Sequence, residues 1–178
     1  MIDNGSHELR AGYHVMHGED PYLKFRSVIG KPKTCVNKLI DQMCLVGNEC
    51  NEIDPQKLQK RSVFDRNVVY HLQSMEHLCD YTFSHLGLHL DKSVEYPILM
   101  TEAMCNPNYS RSQVSELLFE CYQVPAVVYA VDSLLAMKYL KKETGLVIDS
   151  SASATHVIPV FNSEWSLGMS KRLMLGGA

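Results

Sequence analysis

Two stretches of the chain place a carboxylate at the end of an apolar run and follow it with small residues. In the first, Ile2-Asp3 leads into Asn4-Gly5-Ser6, and Leu9-Arg10-Ala11-Gly12-Tyr13 returns. In the second, Gly145-Leu146-Val147-Ile148 ends on Asp149, passes through Ser150-Ser151-Ala152-Ser153, and returns as Thr155-His156-Val157-Ile158. An acid at a strand end can hold the waters around a divalent ion, while the amides of a small-residue turn cradle phosphate oxygens. Two such units in one chain predict two hairpins converging on one phosphate group. Each taken singly is also compatible with an ordinary hairpin, because short acid-and-serine turns are common.

The elements that must carry these turns are legible from periodicity. Gly145–Ile148, apolar and β-branched, has the form of a fully buried strand. Tyr22–Ile29 alternates and predicts a strand, after a loop over His14–Pro21. Met75, Leu78, Cys79, Phe83 and Leu86 recur at helical spacing, so Ser74–Leu86 reads as an amphipathic helix that Gly87 terminates. Ile98-Leu99-Met100 reads as a buried strand, and Asn106-Pro107-Asn108 as a turn. Ser110 with Gln113 predicts a capping box for a helix whose Val114, Leu117, Leu118 and Cys121 face inward. Pro125 ends that helix, Ala126–Val131 is a further strand, and Leu134, Leu135 and Met137 lie on a short helix. Alternating strands and helices of this kind argue an α/β layered domain.

At 178 residues and 20.1 kDa the chain can bury one real core, and 46% hydrophobic with 21% charged residues places it among globular proteins. A formal net charge of −3 argues against nucleic-acid binding by bulk charge. The basic residues Lys57, Lys60, Arg61 and Arg66 read as a solvated loop face. No apolar run is long enough to span a bilayer. Cys35, Cys44, Cys50, Cys79, Cys105 and Cys121 contain no C-x-x-C pair, which argues against zinc and for reduced, mostly buried thiols. His71 and His77 lack the spacing of a metal pair and read as surface or packing residues.

The segments YPILMTEAMCNP, LLFECYQVPAVVYAVDSLLA and TGLVIDSSASATH resemble actin in order and spacing, and DNGSHELRAGY is similar to actin's first phosphate loop. RSVFDRNVVYHLQ, TEAMCNPNYSRSQVSELLFECY and DSLLAMKYL resemble a nuclear branch of the actin-related proteins. The resemblance covers nearly the whole chain and is weakest over Lys31–Leu58. It implies the N-terminal half of an actin-like ATPase domain with the ribonuclease H-like fold. Residues 31–60 would form a variable insert in the small subdomain, and the chain would be truncated at both ends.

The resemblance also implies a site. Asp3 and Asp149 match the two acids that organise Mg2+ and its waters. Asn4, Gly5 and Ser6 match the first phosphate loop, Ser150, Ser151 and Ser153 the second, and Arg10 stands where actin has a phosphate-contacting lysine. Asp132 takes the place of the glutamine that positions the attacking water, and His156 matches a histidine thought to assist it. The departures are His7 for a glycine, Ser151 and Ser153 for two glycines, Ala152 for an acid, and Asp132 itself. Glycine permits positive φ and close phosphate approach, so the serines are expected to reshape the cradle. The ligand implied is ATP or ADP with Mg2+, held weakly or structurally.

The function implied is a non-polymerising structural subunit of a nuclear chromatin-remodelling complex of the Ino-eighty class, serving transcription regulation, DNA repair and recombination. Its partners would be the other subunits and, through them, nucleosomal DNA and histones, with no membrane. The alternatives are a weak ATPase of the actin and heat-shock type, and a partner-binding module with no nucleotide role.

Overall fold

The structure is a computed structural model, and it describes residues 1–14, 22–33, 44–88 and 93–177. Most of the expected loop at 14–21, together with Cys35, Lys38 and Leu39-Ile40, lies outside the described residues.

The chain opens with β1 (Ile2–Asn4), β2 (Glu8–Ala11), β3 (Leu23–Arg26) and β4 (Val28–Pro32). The single strand expected over Tyr22–Ile29 is thus two, broken at Ser27. The Ser27 hydroxyl donates to the Gly5 carbonyl at 2.6 Å and its N–H to the His7 carbonyl at 3.0 Å. That residue turns from the ladder to brace the first loop. Next come β5 (Leu45–Val46), β6 (Leu58–Ser62), β7 (Phe64–Asp65) and β8 (Val68–Val69), then α1 (Leu72–His85), β9 (Ile98–Glu102) and α2 (Asn108–Glu116). After these follow β10 (Val127–Val131), α3 (Asp132–Tyr139), β11 (Gly145–Ser150), β12 (Thr155–Phe161), β13 (Glu164–Trp165) and β14 (Lys171–Leu173).

A five-stranded sheet runs β10-β9-β1-β2-β3. β1, β2 and β3 are antiparallel neighbours, whereas β9 pairs parallel with both β1 and β10. This mixed sheet with helices against it is the α/β arrangement of the N-terminal half of the actin-like fold. Apolar residues of its inner face, Leu9, Phe25 and Met100, meet Met75, Leu78, Cys79 and Phe83 of α1 and Val114 of α2, forming one core cluster. Each such side chain withdrawn from water contributes about 1.5–3 kcal/mol before the entropy of ordering is counted. Gly87, at φ +71°, ends α1 as the sequence predicts, with the Leu88 N–H bonded to the Phe83 carbonyl at 2.9 Å.

The start of α1 is set by His71, whose Nδ1 lies 3.2 Å from the Ser74 N–H that it accepts from and 2.7 Å from the Ser74 hydroxyl. The capping box expected at Ser110 and Gln113 does not form. α2 begins three residues earlier, with Pro107 in the capping position, which brings Ser110 inside the helix and buries it. Beyond α2 the helix widens over Leu117–Cys121, and this turns Cys121 outward where helical spacing had placed it inward. Cys105 is exposed too, Cys44 is half-buried, and only Cys50 and Cys79 are buried among the described thiols.

β4 carries a small sheet of its own, β5-β4-β6, in the region of the variable insert. Lys60 and Arg61 lie exposed on β6 rather than on a loop. The last four strands form a second sheet in which β12 pairs with β11, β13 and β14. Here the largest departure occurs. Among the described residues β11 is an edge strand with β12 as its one neighbour, and Leu146 and Ile148 are 59% and 65% exposed where a fully buried strand was expected. The residues under this sheet, Met104, Ile158 and Val160, form a separate small cluster that covers one face only.

Candidate phosphate cleft

Asp3 sits on β1 with the neighbouring parallel strand directly beside it. The Thr101 hydroxyl of β9 donates to Asp3 Oδ1 at 2.7 Å and accepts the Asn4 N–H at 2.9 Å. One buried hydroxyl thereby fixes both the carboxylate and the first backbone group of the loop. Gly5 follows at a close approach, since a Cβ there would run into the Glu8 carbonyl oxygen. Ser6 projects from the same loop, and its hydroxyl donates to Asn67 Oδ1 at 2.6 Å.

The second loop is built differently. β11 and β12 pair Asp149 with His156 and Ser150 with Thr155, and the Ser151 N–H closes the turn onto the Ala154 carbonyl at 2.9 Å. Neither Ser151 nor Ser153 is among the residues with positive φ. The serines therefore fit a loop of ordinary backbone without strain, and this second turn does not depend on glycine. The chain end then packs over it, with the Gly177 N–H on the Ser151 carbonyl at 3.1 Å and Gly176 so close to Ala152 that a side chain there would collide.

The two loops face each other across a cleft of about 740 Å³ lined by Asp3, Gly5, Ser6, Arg10, Asp149 and Ser151, with His7, Glu8, Asp132, Ser133, Ser150 and Ala152. The sequence-predicted acids and both small-residue turns are thus brought together. Ser153 stands at the edge, its hydroxyl 3.2 Å from that of Ser6. Arg10 is shared: Nη2 bonds Glu8 Oε2 at 3.1 Å and Nη1 lies 3.9 Å from Asp3 Oδ2. Burial would raise the Glu8 carboxyl, but hydrogen bonds from Arg10 and Lys24 hold it below its usual value.

Asp132 opens α3 and is tied to the other acid. The Ser133 N–H donates to Asp132 Oδ1 at 2.7 Å, and the Ser133 hydroxyl lies 3.0 Å from that oxygen and 2.8 Å from Asp149 Oδ2. Burial pushes the Asp132 carboxyl up, and the charges of Asp149 and Asp3 add to this against the Ser133 bonds. His156 is 1% exposed and does not line the cleft, and its ring nitrogens have no protein partner among the described residues. Burial lowers its pKa, with Arg172 acting in the same direction and Asp149 against it, so the imidazole is held neutral. Thr101, Ser133 and Asn67 were not singled out in the sequence. Lone hydroxyls and amides carry no spacing signal, and only the fold brings them to the acids.

The residues present fit a hydrated Mg2+ and phosphates. Asp149 Oδ1 is an acceptor without a protein donor among the described residues, and such an oxygen suits the waters of a hard cation. Asn4, predicted for the first loop, does not line the cleft, and its Oδ1 is buried without a partner among the described residues. Among the described residues no three His, Cys, Asp or Glu side chains gather closely enough to cage an ion directly.

A family model for actin matches residues 1–177. Actin-related protein 5 of Homo sapiens is 40% identical over 185 residues, covering 100% of this chain and 30% of its own length. The protein of that name in Gallus gallus is 40% identical over 184 residues, covering 99% of this chain and 30% of its own. That of Drosophila melanogaster is 35% identical over 196 residues, again 99% of this chain and 30% of its own. The chain therefore spans less than a third of the length of these relatives. The strand order, the paired loops and a family match from the first residue almost to the last agree, and the chain belongs to the actin family.

Proposed function

We propose that this chain forms the nucleotide-cleft part of an actin-related structural subunit of a nuclear chromatin-remodelling complex of the Ino-eighty class. It holds ATP or ADP with Mg2+ as an element of structure. Its partners are other subunits of the complex and, through them, nucleosomal DNA and histones, and it does not polymerise. The relatives named Actin-related protein 5 support this placement.

One observation carries the reading of a binding site over an engine. Asp3 and Asp149 frame the cleft as a phosphate and metal site requires, whereas Asp132 is bound to Ser133 and His156 is buried outside the cleft. In this reading Asp3 and Asp149 hold the waters of Mg2+, Gly5, Ser6, Ser150 and Ser151 present the loops to phosphate, and Arg10 supplies a cation. The ion offsets phosphate charge when bound. A second reading, slow hydrolysis, is favoured by the raised pKa of Asp132, because a carboxylate of raised pKa is a stronger base for a water.

Remodelling by complexes carrying Asp3→Ala or Asp149→Ala, set beside complexes lacking the subunit, tests the proposal. Assembled complexes with the substitutions keep most of their activity if the subunit is structural. Loss as complete as deletion, with normal assembly, contradicts it.

A further inference from the structure

We propose that Thr101 and Ser133 are positioning residues for the metal: each buried hydroxyl ties down one oxygen of a cleft acid and leaves the other, Asp3 Oδ2 or Asp149 Oδ1, to take the waters of Mg2+. The inference rests on the nucleotide reading of the cleft given above and names the atoms through which the ion is held.

The two hydroxyls come from unrelated elements and do the same thing. Thr101 lies on β9 and is 8% exposed, and Ser133 is the second residue of α3 and is 4% exposed. The Thr101 proton goes to Asp3 Oδ1 at 2.7 Å, while the oxygen accepts the Asn4 N–H at 2.9 Å. Ser133 stands between two acids, 2.8 Å from Asp149 Oδ2 and 3.0 Å from Asp132 Oδ1, and its hydroxyl has one proton. Asp132 Oδ1 is already supplied by the Ser133 N–H at 2.7 Å, whereas Asp149 Oδ2 has no other donor among the described residues. The proton therefore serves Asp149, across the shorter of the two contacts.

The terminal torsion of an aspartate is soft, so a carboxylate with both oxygens in water sweeps a wide arc. One charge-assisted hydrogen bond from a fixed donor sets the plane of the group, and with it the place of the second oxygen. Magnesium demands near-octahedral geometry, so the waters it keeps must be met at fixed places. The second oxygens are open to such waters. The Asp3 side chain is 43% exposed, and Arg10 Nη1 stays 3.9 Å from Oδ2, beyond hydrogen-bond reach. Asp149 Oδ1 has no protein donor among the described residues. Asp3, Asp149 and Ser133 line the same cleft. Groups that orient metal-holding side chains are worth about 10–100-fold in metal affinity.

The test is equilibrium binding of ADP, with Mg2+ and with chelator, to this chain and to Ser133→Ala, Thr101→Val and Thr101→Ser. Ligand-observed NMR reads affinities down to the millimolar range, and circular dichroism checks folding. The readout is the factor by which magnesium tightens ADP binding, which a merely structural role would leave alone. That factor is expected to be about tenfold or more in the unaltered chain and in Thr101→Ser, which keeps the hydroxyl. It is expected to fall to about twofold in Ser133→Ala and in Thr101→Val, while affinity under chelator stays within about twofold of the unaltered value. The two positions are substituted separately, so a variant that fails to fold at one leaves the other to decide. A factor unchanged in either folded variant overturns the inference while leaving the nucleotide site standing. So does a loss in Thr101→Ser as full as in Thr101→Val, or a loss of affinity that is equal with magnesium and with chelator. An unaltered chain that binds ADP no better with magnesium, or not at all, overturns the inference and the metal reading of the cleft together.

Discussion

Asp132 shows how a single position decides between a working base and a structural residue. Its carboxyl is raised above the ordinary 3.8 chiefly by burial, so the native state binds a proton more readily than the unfolded chain does. Stability from this group is full below that ordinary value and falls as pH rises through the raised native one, which leaves a charged, half-buried carboxylate as a cost at neutral pH. Asp132→Asn keeps an acceptor for the Ser133 N–H and removes the charge. Thermal melts are expected to give it a higher Tm than the unaltered chain at pH 7, with the gap closing below about pH 4. A lower Tm at pH 7 would show that the charge is stabilising. Asp3 and Asp149 were legible because an acid at a strand end followed by small residues is a pattern. Their partners Thr101 and Ser133 were not, because they lie 98 and 16 residues away along the chain and the pairing exists only after the strands and α3 are in place.

At the scale of elements, helices and central strands followed their apolar periodicity, and the failures were of context. The pattern Leu146-Val147-Ile148 has the composition of a strand covered on both faces, but among the described residues its sheet offers β11 one neighbour and one covered face. Composition reports what a strand can bury, not what stands beside it. The capping box at Ser110 failed for a related reason: Pro107 starts the helix early, and the serine bonds toward the Val69 carbonyl instead. These differences carry an energetic consequence. Leu118, fully buried in the main cluster, should cost about 2–5 kcal/mol on substitution by alanine, read from urea unfolding. Ile148→Ser, at an exposed position, should change stability by about 0.5 kcal/mol or less. Equal losses from the two would mean that β11 is covered in solution.

For the whole molecule, strand-helix alternation made the α/β layering legible in the sequence and the two strand-acid-turn units made the converging hairpins legible, while the resemblance carried in YPILMTEAMCNP and TGLVIDSSASATH sharpened both to the actin-like fold. It could not give the closeness of the loops, because Ser6 and Ser153 are 147 residues apart and depend on how the two sheets meet. Nor could it give the Ser6 bond to Asn67, which comes from a hairpin that carries no phosphate motif. The account as a whole stands on one claim, that the strand-end acids make this cleft a metal-assisted phosphate site. The most direct measurement is titration calorimetry of ADP into this chain and into Asp149→Ala, each with Mg2+ and with chelator. The account predicts that chelation weakens binding to the unaltered chain by about tenfold or more, while the variant, folded by circular dichroism, binds weakly and without regard to magnesium. Magnesium-dependent affinity that persists unchanged in Asp149→Ala would contradict it.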